Sequence, residues 1–300
     1  MFAWIPITIA AALAQTFRFV LQKKLAGTGF STGGATFARF VYAAPLVICL
    51  ALVYAEVSDQ ALPNVPPAFL AYAAAGGLAQ ILATMCVVAL FSMRNFAVGI
   101  TFKKTEVLMS VAVGFAVLGE GVSVWGLAAI LVGFVGVILL SDPPGDGGGG
   151  WSRFFNRAAG LGLASGLMFA ISGVGYRGAS LSLGGGDTFM RAVFTLACVA
   201  TFQMVIMAIW LRLCESGEIT KVMRAWRVAG LVGITSLIGS LCWFTAFTLQ
   251  TVAYVNALGQ VELIFSMMAS VLIFGERISR REVQGLVLLS GSVLALVLVV

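Results

Sequence analysis

Arg39, Lys103, Lys104, Glu106, Arg191 and Glu262 lie several residues inside stretches of this 300-residue chain that are long and apolar enough to cross a bilayer. A charge near the middle of a spanning helix costs about 2.5–3.5 kcal/mol on insertion scales. Such groups therefore pair with one another, line a wet cavity or hold a ligand. Glu106 lies about ten residues past the expected start of its helix, roughly 15 Å at 1.5 Å per residue and near the midplane of a ~30 Å hydrocarbon core. An ammonium at that depth, as on Lys103, is a natural partner for a carboxylate or a phosphate. A carboxyl there can brace a neighbouring helix or carry a proton.

The segment that holds these charges occurs twice. GITFKKTEVLMSVAVGFAVLGE, Gly99 to Glu120, returns as AYVNALGQVELIFSMMASVLIFGE, Ala253 to Glu276. An offset of 156 lays Glu106 on Glu262, Ser110 on Ser266, Gly119 on Gly275 and Glu120 on Glu276. Thr36-Phe37-Ala38-Arg39 matches Thr188-Phe189-Met190-Arg191 at an offset of 152, Gln22-Lys23 matches Tyr176-Arg177 at 154, and Ala89-Leu90 matches Ala246-Phe247 at 157. Offsets that drift slowly along the chain are those of a duplicated unit with short loop insertions.

Two readings fit the duplicated charges. In one, Arg39 pairs with Glu106 and Arg191 with Glu262, each pair bracing one half; Glu106→Gln then damages folding and Arg39→Gln partly rescues it. In the other, the same groups face a cavity. Lys103 and Lys104 break the duplication, because Gly259 and Gln260 stand at their matching positions. Positions 103, 106, 110 and 114 share a helical stripe, as do 259, 262, 266 and 270. A stripe of small and polar residues suits a tight helix contact or a cavity wall, and Lys103 favours the wall. Lys104 lies about 100° around the helix from Lys103, so the two do not point into one narrow site, and one of them can snorkel toward the cytoplasmic interface. The candidate substrate-binding set is Lys103, Lys104, Glu106, Gln80, Trp243, Tyr254, Asn256 and Gln260. The candidate structural ion pairs are those of Arg39, Glu106, Arg191 and Glu262.

The elements that must position these groups follow from composition. The chain is 60% hydrophobic and 10% charged, against about 25% charged in soluble domains, so its surface must be apolar and its partner is a lipid bilayer. Ten spans of about 20 apolar residues are expected, roughly 2–22, 32–54, 67–91, 96–118, 122–140, 159–182, 187–213, 227–249, 253–274 and 282–299. Asp142 to Gly150, DPPGDGGGG, cannot continue a helix and reads as a linker. The expected division is 1–141 for a first five-helix repeat, 142–157 for a Pro/Gly-rich cytoplasmic linker and 158–300 for a second repeat. An odd number of helices per unit makes the repeats inverted. Ala12-Leu13-Ala14 looks like a signal-cleavage site, but no Lys or Arg precedes the apolar run, so the segment reads as a retained first helix.

Several functions are disfavoured. The chain has no His, which removes the usual general base and metal ligand. Its five Cys lack metal or redox spacing, and Gly147–Gly150 follows no strand and is no phosphate cradle. The net charge of +6 lies in loops, with no basic–aromatic patch for nucleic acid. An enzyme is not expected, nor a cofactor or a metal.

Two five-helix halves, each closing its fourth helix with Gly-Glu (Gly119-Glu120, Gly275-Glu276) and carrying a Gly early in the fifth (Gly126, Gly285), resemble the drug/metabolite transporter superfamily. More narrowly the chain resembles ten-helix EamA-type exporters, and among them the bacterial aromatic amino-acid exporters. The resemblance implies an all-α polytopic membrane protein, two inverted five-helix repeats around a central cavity, with helices 1, 3, 4, 6, 8 and 9 on the cavity and helices 5 and 10 outside. It implies alternating-access export of small metabolites, amino acids including aromatic ones. Sugars, phosphorylated metabolites or drugs as cargo, a channel, and a non-transporting scaffold stay open as alternatives, as do oligomeric state and proton coupling. The Lys103-Lys104 pair departs from the pattern.

Lys and Arg crowd the loops after helices 1, 3, 5, 7 and 9, whereas the loops after helices 2, 4, 6 and 8 hold none beyond Arg177 at a helix end. By the positive-inside rule the odd loops are cytoplasmic and both termini periplasmic, in a bacterial inner membrane. A C-terminal reporter active only in the cytoplasm is therefore expected to stay silent, and a periplasm-active one to give signal; the reverse result overturns the orientation.

Overall fold

The computed structural model describes residues 2–26, 29–90, 93, 102–141, 157–265, 268 and 280–299. Its helices are α1 Trp4–Ala26, α2 Thr32–Val41, α3 Ala43–Val57, α4 Pro67–Leu90, α5 Glu106–Leu118, α6 Val124–Ser141, α7 Arg157–Ser182, α8 Thr188–Cys214, α9 Glu218–Arg224, α10 Trp226–Leu249, α11 Val252–Gly259 and α12 Arg280–Val299. Among the described residues there is no strand, only an isolated bridge between Asn64 and Gly184. The ten expected membrane segments are represented in order, with α2 and α3 together forming the second. They break at Tyr42 because Pro45, lacking an N–H, leaves the carbonyl of Val41 without its helical partner. The expected linker, apart from Arg157, lies outside the described residues, as do Ser266, Ser270 and the second Gly-Glu end.

Helix neighbours follow a two-fold rule. With the segments numbered one to ten, segment 1 (α1) packs on segment 8 (α10), and segment 3 (α4) on segment 6 (α7). Exchanging each segment with the one five places on turns the first pairing into the second. Segments 2 and 7 (α3 and α8), 4 and 9 (α5 and α11) and 5 and 10 (α6 and α12) pair with each other, and each pairing maps onto itself. This is the pseudo-symmetry of inverted repeats.

The pairs run antiparallel. At one end of the second and seventh segments, Asp187 caps α8 by accepting from Met190 N at 2.7 Å, and it accepts from Tyr54 Oη at 2.8 Å and Gln60 Nε2 at 2.9 Å. The backbone N–H of Met190, with the Gln60 and Tyr54 donors, holds the Asp187 carboxyl below the usual carboxylate range. At the other end, Ser31 caps α2 and bonds to Glu215 and to Glu218 on the short helix α9. Burial works against ionisation of Glu218, but Lys221 and Ser31 outweigh it and keep that carboxyl below its ordinary value.

Small residues set the closest contacts. A Cβ on Gly175 would stand 2.9 Å from Gly76 Cα and from the Tyr72 carbonyl, so α4 and α7 touch backbone to backbone. Gly136 meets the Gly285 carbonyl in the same way, joining α6 to α12, and Ser292 donates to the Ala129 carbonyl at 2.6 Å. The outer faces are apolar, with Val124, Trp125, Val287 and Leu298 exposed on α6 and α12, as a lipid-facing surface requires.

Arg177, at the end of α7, stitches three segment ends together. Its Nε donates to both Glu120 oxygens at 2.7 and 2.8 Å, and its Nη1 donates to the carbonyls of Phe247 and Gln250 at 2.6 and 2.9 Å. Gly119, with φ of 69°, lets the chain leave α5 so that Glu120 reaches that arginine.

Gly175→Ala should cost about 1–3 kcal/mol through overpacking and lower the melting temperature in detergent. Gly291→Ala, whose Cβ meets nothing within 4 Å, should leave the melting temperature unchanged or slightly raised.

Candidate functional site

The two duplicated segments share a local irregularity, and the site is built on it. Helical bonding tightens at Lys104, where Val107 N reaches back only to the Lys104 carbonyl, and again at Gln260, where Leu263 N reaches back only to the Gln260 carbonyl. These are i→i−3 contacts in place of i→i−4, and the offset of 156 superimposes them. Each turn delivers a glutamate, Glu106 or Glu262, to the interior. Gly166 on α7 lies against the first turn, since a Cβ there would meet the Lys103 carbonyl at 3.0 Å and Glu106 N at 3.2 Å.

The lysines take both carboxylates. Lys103 Nζ is 2.8 Å from Glu106 Oε2, an i,i+3 pair, and lies 4.9 Å from the centre of the Phe169 ring. Lys104 pairs with Glu262 Oε1 across the repeat interface, and Gln15 Nε2 donates to Glu262 Oε2 at 3.0 Å. Arg39 does not pair with Glu106 as expected, because Lys103, one turn before Glu106, already holds it. Arg39 instead donates through Nε to Ser236 Oγ at 2.8 Å, through Nη1 to Thr84 Oγ1 at 3.1 Å and through Nη2 to Ser240 Oγ at 3.3 Å.

Arg191 does not pair with Glu262 either. It sits in the first turn of α8, next to the Asp187 cap, and its buried Nε has no hydrogen-bond partner. The sequence match placed Arg39 and Arg191 at equivalent positions, but α2 begins seven residues before Arg39 and α8 only three before Arg191. The second arginine is therefore shallower.

These groups surround an internal cavity whose walls come from segments 1, 2, 3, 4, 6, 8 and 9. Gln15, Arg18, Arg39, Gln80, Lys103, Glu106, Phe169, Tyr176, Ser240, Trp243, Phe247, Asn256, Gln260 and Glu262 face it. About 50 Å³ of it is open to the centres of water molecules, room for a few waters. A larger groove between α3 and α8, lined by Ile48, Leu52, Phe194 and Thr201, is almost wholly apolar and opens outward.

The cavity's polar wall is a network. Tyr176 Oη donates to Gln80 Oε1 at 2.8 Å, and Gln203 Nε2 donates to the same oxygen at 3.0 Å. Asn256 Nδ2 donates to Ser110 Oγ at 2.8 Å, and Gln260 Nε2 to the Asn256 carbonyl at 3.1 Å. Two buried atoms in the wall have no partner, Trp243 Nε1 and Gln260 Oε1.

Of the expected binding residues, Lys103, Glu106, Gln80, Trp243, Asn256 and Gln260 meet at the cavity. Lys104 is buried behind it against Glu262. Tyr254 lies elsewhere: its hydroxyl accepts from Ser123 N at 2.9 Å and packs on Gly126, joining α11 to the start of α6. Arg18 and Phe169 are cavity residues that the sequence reading passed over. Arg18 lies five residues before the first span's basic end at Lys23, and it is buried. Gln203, set between Phe202 and Met204 in the middle of α8, was a signal left unused.

An all-helical protein with several membrane-crossing helices packed as inverted repeats around a polar cavity is the architecture of a solute carrier. Residues 156–298, just under half of the chain, match the EamA-like transporter family. A crystal structure of 15% sequence identity superimposes with a TM-score of 0.71, covering 99% of this chain and 96% of its own, which shows the shared fold. No curated protein matches the chain. The family matched by the second half is one of membrane transporters.

Lys104→Gln strips Glu262 of a buried cation, and breaking a buried pair costs about 3–5 kcal/mol. Folded yield in detergent should fall sharply for this single variant and recover in Lys104→Gln/Glu262→Gln. If the double variant is as poor as the single, the pair is not what holds the repeats together there.

Proposed function

We propose that this protein exports small metabolites by alternating access across a bacterial inner membrane, with amino acids, aromatic ones included, as its substrates. The observation that carries the reading is the asymmetry of the cavity. Where the first half presents Lys103, the second has Gly259, and a Cβ on Gly259 would stand 2.5 Å from the Trp243 ring. The indole thus fills the place of the missing side chain. One wall offers an ammonium and the other an aromatic face, extended by Phe247 stacked on Trp243 at 5.6 Å.

A substrate carboxylate competes with Glu106 for Lys103. A substrate ring enters among Phe169, Trp243 and Phe247, and the unpartnered Gln260 Oε1 accepts from the substrate ammonium. The present cavity holds a few waters and no amino acid, so loading requires the walls to part on one side.

Lys103→Ala should abolish counterflow of amino acids in proteoliposomes while expression and membrane insertion stay at wild-type level. Unchanged flux in that variant removes Lys103 from the binding role, and a panel of amino acids, sugars and cations that yields no flux above protein-free liposomes removes the transport reading itself.

A further inference from the structure

Arg39 lines the cavity, and its hydrogen-bond partners, all given above, are neutral. It is 5% exposed, and its three hydrogen bonds go to hydroxyls on α4 and α10. A guanidinium has five N–H donors, so two remain for a ligand. Ser240, one of the three hydroxyls, lines the same cavity. A hydroxyl that accepts from Arg39 keeps its own proton to donate, so the cradle is suited to an anion.

The pairing of the other charges agrees. Lys103 and Lys104 each hold one carboxylate, Glu106 and Glu262, whereas Arg39 faces hydroxyls in a low-dielectric interior, where a cation without a counter-charge is costly. A zwitterion held by its carboxylate at Lys103 brings Arg39 no counter-charge, whereas a ligand with a second anionic group does.

We propose that Arg39, with Ser236, Ser240 and Thr84, forms a second anion subsite beside Lys103, and that the substrate carries two anionic groups, a carboxylate and a further carboxylate or phosphate ester. This rests on the transport reading above and narrows its substrate class. Lys103 takes one anionic group in competition with Glu106 and Arg39 takes the other, while Glu262 keeps Lys104.

The test compares near-isosteric pairs in counterflow with wild-type protein: L-glutamate against L-glutamine, and O-phospho-L-serine against L-serine. A charge-assisted hydrogen bond contributes about 1.5–3 kcal/mol, so at least one anionic member should outrun its neutral partner by on the order of tenfold. The pair that does so identifies the second group as carboxylate or phosphate. Arg39→Gln should bring that ratio to near unity while the neutral partner's flux persists, and Arg39→Lys should keep part of the preference. If glutamine or phenylalanine is carried with no advantage for either anionic probe, the second subsite is overturned and the transport reading stands. If none of the probes is carried, both fall. Should Arg39→Gln not fold, the wild-type ratios decide alone.

Discussion

The structure depends on how two carboxylates are neutralised inside the membrane-spanning bundle, away from bulk water. Glu106 and Glu262 are delivered to the interior by matching tightened turns, and each needs a cation. Both cations come from one place in the chain, the adjacent residues Lys103 and Lys104. Lys103 turns back to the glutamate of its own half, and Lys104 crosses to the glutamate of the other. A straight helix would send the two ammoniums about 100° apart, and here that divergence is used: one arm lines the cavity and the other ties the repeats together. The second half, with Gly259 and Gln260 at these positions, supplies no cation, so the symmetry of the scaffold is broken at its centre.

Around that centre the remaining constraints are steric. The closest crossings, Gly76 on Gly175 and Gly136 on Gly285, place backbone against backbone, because lipid offers little hydrophobic drive between helices and close packing must supply it. Segments 5 and 10 meet at the second crossing and, among the described residues, contribute nothing to the cavity wall, which leaves their outer faces to lipid. The Gly-Glu ending of α5 acquires a physical role in Arg177, which closes the ends of segments 4, 6 and 8 into one polar knot.

Much of this was legible in the sequence. Mean composition and span length dictated the membrane fold, and the drifting offsets the repeat. The polar residues inside spans, Gln80, Asn256 and Gln260, did converge with Lys103 and Glu106. The Arg–Glu pairings were misread for a specific reason. Repetition shows which positions are equivalent, and it is silent on which positions touch. In a two-fold arrangement of inverted repeats a segment's main neighbours lie in the other half, so segment 4 faces segments 6 and 9, and Arg39 of segment 2 finds the hydroxyls of segments 3 and 8. Tyr254 was misplaced because an aromatic in a membrane helix has the same sequence signature whether it faces a cavity or packs on a glycine of the next segment.

The distribution of polar contacts bears on how such a scaffold moves. The ties between the second and seventh segments stand at their two ends: Tyr54 and Gln60 on Asp187 at one, Ser31 on Glu215 and Glu218 at the other. The first set is exposed to solvent, where each bond contributes little net stability because water replaces it readily. The glycine crossings lie within the segments and involve backbone, which cannot rearrange one rotamer at a time. Under the proposed alternating access, the ends are therefore the cheap places to separate and the glycine contacts the natural pivots. The Lys104–Glu262 pair sits between them and joins the halves at mid-depth. It must either persist through the motion or exchange partners with the substrate, and its burial makes persistence the less costly of the two. Lys103, whose partner lies on its own helix, can release Glu106 to an incoming carboxylate without loosening the contact between repeats.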